Sequence, residues 1–310
     1  MESRMYVSVS PHIRSKTTTT GIMLDVIISL LPATVAGCII FGLRSLAVIA
    51  VCVLASVASE YIFNLIIKKE QTIGDLSAVV TGLLLALNLP ANAPLWQSAV
   101  GSVFAIIVVK CIFGGLGCNV VNPAITARVF MLIAFGSLAK VAYPITVDTV
   151  SGATPLAQLK EGLAAPSLMD MFLGIKGGAI GETCTIALII GGIYLIVRRV
   201  ISWHIPVSLI ATVFIFSLIL EDFSLNTALS WTMSGGLFIG AIFMATDYVT
   251  SPSTSLGKII FGVGAGFITV VIRFYGTYPE GVSFGILLMN IVNPYIETLT
   301  QRKIFGGREK

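Results

Sequence analysis

The segment VDTVSGATPLAQLK (147–160) gathers residues whose types and order could carry chemistry. Ser151, Gly152 and Ala153 are small, so another protein can approach the backbone closely there. Pro155 biases Thr154 toward an extended conformation and away from a helix, which presents the Thr154 hydroxyl on an open turn. A hydroxyl displayed in this way suits covalent modification. Residue types alone do not say which modification, and an ordinary turn accounts for the same composition. A second set lies in GGLGCNVVNPAITAR (114–128). Its glycines allow close packing, Asn119 and Asn122 bring amide donors and acceptors, and Pro123 opens a helix whose first N–H groups are free. Such a corner can hold a polar, planar ligand; equally, both asparagines can cap helices and bond across a bundle. In ATDYVTSP (245–252), Thr246 and Asp247 are candidates to line the same inner cavity. Asp247 can instead be an exposed loop charge or a helix N-cap.

Other reactive types point to less. Asp25 stands near the start of the first apolar run, where a carboxylate costs less than the about 2.5–3.5 kcal/mol of a mid-helix position. It either joins an ion path or pairs with a neighbour. Asp75 and Arg128 bracket one face and are candidates to pair with each other. The five cysteines (Cys38, Cys52, Cys111, Cys118 and Cys184) are odd in number and scattered, which is no disulfide framework. Cys111 and Cys118 are two ligands where a cluster needs four, so no metal site is expected within this chain. With only His12 and His204, the chain cannot supply paired histidines for an intramembrane haem.

These residues must be positioned by elements that live in lipid. The 310 residues are 56% hydrophobic and 11% charged, with a mean hydropathy of +0.96, against about 25% charged in soluble domains. Apolar runs fall at roughly 21–43, 45–67, 76–90, 95–113, 122–139, 183–198, 205–220, 229–246, 257–273 and 282–298. An all-α, polytopic membrane protein of about ten transmembrane helices follows. The third run ends in NLPANAP, where Pro90 and Pro94 stop the helix. Short or interrupted spans of this kind mark sites, because freed backbone groups must line protein or a cavity.

With the N-terminus in the cytoplasm, fourteen lysines and arginines fall on the inner side. Five fall on the outer side: Arg44, Lys140, Lys160, Lys176 and Arg273. The positive-inside rule favours this orientation. The chain then divides into an inner tail (1–20), a first five-helix half (21–139), a polar outer loop (140–182), a second half (183–299) and an inner tail (300–310). The first 20 residues do not read as a signal peptide. KCIFGG (110–115) with NVVNP (119–123), and KIIFG (258–262) with NIVNP (290–294), hint at a repeat. Two halves of five spans would be inverted relative to each other.

Asp148 with Ser151-Gly152-Ala153-Thr154 resembles the D-x-x-S/T-G-A-T acceptor pattern of flavin transferases, which join FMN to the last threonine through a phosphoester. GDLSAVVTGLLLALNLP (74–90), GGLGCNVVNPAITAR (114–128), SGATPL (151–156) and ATDYVTSP (245–252) look like segments of the D subunits of Rnf electron-transport complexes, in family order. The acceptor pattern also marks the related B subunit of the sodium-pumping NADH:quinone reductase. Tyr248 departs from the family, where a proline is expected.

The resemblance implies covalent FMN on Thr154, with Asp148 and Ser151 serving recognition by the transferase. It also implies non-covalent riboflavin near Asn119 and Asn122. Lys140, Lys160 or Lys176 is a candidate to balance the FMN phosphate. The implied function is electron transfer between reduced ferredoxin and NAD, coupled to export of sodium ions or protons. Activity would need the other subunits (A, B, C, E and G), a flavin transferase during maturation, and the lipid of a bacterial or archaeal cytoplasmic membrane, and no nucleic acid. About 20 residues precede the first span, where the quinone-reductase protein has a longer extension, and this favours the Rnf reading. A flavin-free channel or transporter built on an inverted five-helix repeat is the remaining alternative.

Overall fold

The computed structural model describes residues 17–136, 142–144, 154–162, 166–276 and 280–301. Asp148, Ser151 and Lys140 lie outside them. The described chain is helical throughout, without a β-strand among the described residues. Four helices are long and apolar enough to cross a membrane, and a bent pair makes a fifth. The protein is therefore a multi-pass membrane protein.

α1 (Thr19–Phe41) starts at Thr18, whose hydroxyl accepts from the Gly21 N–H, and ends at Gly42. Gly42, at φ 73°, turns the chain within one residue into α2 (Leu43–Ile67). Both helices are apolar on every side, as a lipid-embedded helix must be, and Ile39 and Leu43 are 75% and 84% exposed. Inside the bundle, hydroxyls turn back onto their own helix: Ser59 donates to the Ala55 carbonyl (2.6 Å) and Thr269 to that of Ala265 (2.7 Å). The α1–α8 and α2–α3 contacts are close because glycine faces backbone. A Cβ on Gly191 would sit 2.1 Å from the Ser29 carbonyl oxygen, and one on Gly82 would sit 2.8 Å from that of Cys52.

After the 3₁₀ turn Ile73–Asp75, α3 (Ser77–Leu87) stops at Asn88-Leu89-Pro90, well short of a full span. Its last carbonyls are claimed by an irregular segment from far along the chain. The Ile180 N–H donates to Leu89 (3.0 Å) and the Gly181 N–H to Leu87 (2.7 Å). α4 (Leu95–Val103) continues as a π-helix over Phe104–Cys111, and α5 (Pro123–Ala134) follows. Two short helices, α6 (Pro155–Lys160) and α7 (Leu168–Leu173), lead into the buried segment 176–183. The 140–182 stretch is thus no wholly exposed polar loop, since its last residues thread the interior.

α8 (Thr185–Val197), α9 (His204–Leu220), α10 (Leu225–Met233), α11 (Leu237–Ile239), α12 (Ser255–Tyr275) and α13 (Val282–Thr300) complete the chain. α11 runs on as a π-helix over Gly240–Met244, and the α10–α11 pair is bent by 63°. The carbonyls freed at this break meet cations. Arg273 donates to Trp231 (2.7 Å) and Ser234 (3.0 Å), and Lys176 donates to Met233.

Four cations counted on the inner or outer side from sequence are interior. Lys110, Arg128, Lys176 and Arg273 are all under 5% exposed, each held by a carboxylate or by orphaned carbonyls. Arg128 does not pair with Asp75. It holds Glu280 at 2.9 Å, because α5 faces the start of α13, while Asp75 accepts from the Ser77 backbone and hydroxyl. The repeated motifs also occupy unlike positions. KCIFGG closes the α4 π-helix and KIIFG opens α12; NVVNP caps α5 and NIVNP lies within α13. They nevertheless meet: with its amide turned over, Asn290 accepts from the Asn122 N–H and donates to the Thr250 carbonyl, both at 3.2 Å.

Replacing Gly191 with valine should push α1 from α8 and destabilise the fold by about 1–3 kcal/mol. Gly74, where an added Cβ would meet nothing within 4 Å, should accept alanine. Size-exclusion survival after heating in detergent measures both; equal survival of Gly191→Val and wild type would contradict the packing described.

Candidate functional site

A cavity of about 260 Å³ opens between the two halves of the chain. That is close to the lower end of small-molecule sites, roughly 300 Å³. One wall is apolar: Ile22, Met23 and Val26 of α1, Val80 and Leu84 of α3, and Leu195 and Phe243. The polar corner is built where helices end. Asn119, Asn122, Thr246 and Asp247 all line it, so the four residues singled out from two distant segments come together. Lys110 and Ser77 join them.

Local chemistry explains each placement. Asn122 caps α5, its side-chain oxygen accepting from the N–H groups of Ala124 (3.0 Å) and Ile125 (3.3 Å). Its amide nitrogen reaches across to the Met244 carbonyl (3.1 Å) at the end of the second π-helix. Asn119 donates to the Val121 carbonyl (3.1 Å) and to the Asp247 carboxylate (3.4 Å). The asparagines therefore cap and cross-link the bundle and also face the cavity; the two readings of them are compatible. Asp247 is neither a free loop charge nor an N-cap. Thr254 caps α12, and Asp247 accepts from Asn119 and Thr250 (3.2 Å). Burial pushes its carboxyl above the usual range, against the pull of the Thr250, Val249 and Asn119 hydrogen bonds. The Thr246 hydroxyl donates to the Ile242 carbonyl (2.6 Å). Tyr248 ties the loop down through a hydrogen bond from its hydroxyl to the Val200 carbonyl, fixing by a side chain what proline would fix by its ring.

Sequence reasoning missed Lys110, counting it only as an inner-side charge; the signal that could have found it is a lone cation in the apolar run FAIIVVKC, the kind of intramembrane charge that marks function. The α1 wall carries no signal in the sequence beyond apolarity. Asp25 pairs with Arg198 (3.2 Å) and accepts from Tyr194 (2.8 Å), away from the cavity lining. Cys111 is buried and Cys118 exposed, both as free thiols.

Thr154 lies elsewhere. It is extended (φ −55°, ψ 154°), as Pro155 requires, and half-buried. It caps α6, its hydroxyl oxygen accepting from the Ala157 N–H (3.1 Å). α6 is anchored by buried Leu156 and by Lys160, which donates to the Gly276 carbonyl at the far end of α12. The Asp247 loop leads into the opposite end of that helix. α12 itself, 21 residues, is about 30 Å long. Of the lysines considered for a phosphate, Lys176 is buried beneath the α10 break and Lys160 is engaged with Gly276.

Residues 6–306 match the model of the NQR2, RnfD, RnfE family. The chain is 50% identical to the D subunit of the Na(+)-translocating ferredoxin:NAD(+) oxidoreductase complex of Acetobacterium woodii, over 98% of this chain and 96% of that one. It is 42% identical to the D subunit of the proton-translocating ferredoxin:NAD(+) oxidoreductase complex of Clostridium ljungdahlii, over 97% and 96%. It is 32% identical to the D subunit of the ion-translocating oxidoreductase complex of Erwinia tasmaniensis, over 98% of both. The chain belongs to the NQR2, RnfD, RnfE family.

Proposed function

We propose that this chain is the flavin-bearing membrane component of an ion-translocating ferredoxin:NAD oxidoreductase complex. The observation that carries the reading is the polar corner of the cavity, where Asn119, Asn122, Thr246 and Asp247 converge from both halves, in a chain that shares full-length identity with proteins of that name. Thr154 holds FMN through a phosphoester, with Asp148 and Ser151 completing the transferase's recognition sequence. The cavity takes a second flavin, riboflavin, without a covalent bond. When bound, the flavins supply one- and two-electron redox chemistry. The chain supplies position. An apolar wall accepts the flat face of a ring and keeps water from it. The amides of Asn119 and Asn122 can match the ring's carbonyl and N–H edge. The α6 helix fixes where the tethered ring starts.

Ten spans in two inverted halves fit the element order. The first half contributes α1, α2, α3, α4 with its π-helix, and α5; the second contributes α8, α9, the bent α10–α11, α12 and α13. Setting aside the four buried cations, two from each side, leaves twelve positive residues against three, which strengthens the case for inner termini and an outer Thr154. Electrons pass between ferredoxin and NAD through the assembled complex, with its A, B, C, E and G subunits, and the passage is coupled to export of sodium ions or protons.

Expression with a flavin transferase should yield a band that fluoresces after denaturation, and the 147–160 peptide should gain the mass of FMN. Thr154→Ala should remove both signals. A variant that keeps them sinks the site, and a dark wild-type band sinks the covalent flavin and favours a transporter. Asn119→Ala should release the second flavin. Acid extracts of the purified complex should then hold several-fold less riboflavin while the Thr154 fluorescence persists. Unchanged riboflavin would remove Asn119 from its site.

A further inference from the structure

The cavity wall contains a buried ion pair that the flavin reading does not require. Lys110 and Glu60 are 3% and 2% exposed and meet at 2.9 Å. Lys110 also donates to the Ser77 hydroxyl (2.6 Å), which in turn donates to Asp75. Glu60 is held from behind, accepting from Thr72 (2.6 Å), which accepts from Asn64 (3.0 Å). Burying such a pair is weak evidence for stability, because an apolar pair of similar size serves the fold as well or better. The pair is also oriented. Lys110 and Ser77 line the cavity, whereas neither Glu60 nor any other residue of α2 does. The positive end faces the ligand space, and the negative end faces away. Lys110 sits in the π-helical stretch Phe104–Cys111, an insertion that re-aims side chains and recurs at functional sites.

We propose that Lys110, backed by Glu60, sets the electrostatics of the flavin held in this cavity, and favours its reduced, negatively charged form over the neutral oxidised one. This rests on the flavin reading of the cavity. The first electron delivered by the complex's own carriers turns the neutral ring into an anionic semiquinone of charge −1; a second electron taken up with one proton leaves an anionic hydroquinone of the same charge, and no bond of the protein forms or breaks. An oriented charge at fixed distance in a low-dielectric wall stabilises that added charge without reorganising. Lys110 is thus a tuning residue whose distinguishing effect appears in a potential.

The test uses the purified complex and a spectroelectrochemical titration of its non-covalent flavin. Lys110→Met alone strands Glu60 and can fail to assemble, so the informative variants are Lys110→Met with Glu60→Gln, Glu60→Gln alone, and Lys110→Arg. The riboflavin that the double variant holds should titrate at a more negative potential than in wild type, and Glu60→Gln, whose site lies outside the cavity lining, should hold riboflavin at the wild-type amount. The reduced-to-oxidised ratio at a fixed applied potential should fall about tenfold. Glu60→Gln alone should move the potential in the opposite direction, and Lys110→Arg should hold it near wild type. Opposite signs from the two ends of one pair are not the mark of a structural role. A wild-type complex with riboflavin, and a double variant with riboflavin at an unchanged potential, would overturn the proposal and leave the flavin reading standing. A wild-type complex that holds no riboflavin would overturn both.

Discussion

Inside a bilayer, a helix that stops early leaves carbonyl groups with no water to take them, and each unmet group costs several kcal/mol. α3 stops at Leu87 and α10 at Met233, both in the interior. The chain answers the first break with backbone, bringing the N–H groups of Ile180 and Gly181 onto Leu89 and Leu87. It answers the second with charge, setting Arg273 and Lys176 against the carbonyls of Trp231, Met233 and Ser234. Much else follows from these two repairs. Segment 176–183 must be inside because it carries the donors. The cations must be inside because the second break needs them. The loop after α11 can turn inward because Asn122 takes the Met244 carbonyl at its start.

The membrane class and the outlines of most spans were legible in the sequence because lipid demands a simple signal, long apolar runs closed by proline or by polar turns. The meeting of Asn119 and Asn122 with Thr246 and Asp247 was one of two readings the sequence left open, since Asp247 reads equally as a loop charge or a helix N-cap. What stayed hidden depends on depth. Lys110 and Arg273 sit near run ends, Arg128 inside the short fifth run and Lys176 in the outer loop, and the sequence reads each as a charge on one side of the membrane. Only the packing reveals that each reaches back into the bundle for a partner. The Arg128–Glu280 pair joins residues 152 positions apart, and nothing local announces it. The short motif repeat misled for a related reason. Phe-Gly and Asn-Pro pairs are punctuation in any packed membrane helix, and here they punctuate different places.

Identity to the relatives runs the length of the chain, and their names divide between sodium and proton. A single scaffold therefore serves complexes named for different ions. The cavity corner and the Thr154 helix are built the same way, from a hydroxyl or amide that caps a helix opened by proline. Such caps are rigid, and a redox group benefits from rigid surroundings because little must rearrange when its charge changes.

The two places lie at opposite ends of α12. On the reading proposed for them, a carrier at one end faces one aqueous compartment and a carrier at the other faces its counterpart. Any electron that goes from the cavity to the tethered flavin then traverses the transmembrane voltage. At 100 mV, that passage is worth about 2.3 kcal/mol per charge. The length of one helix would thus make the rate of electron flow sensitive to how strongly the membrane is already energised.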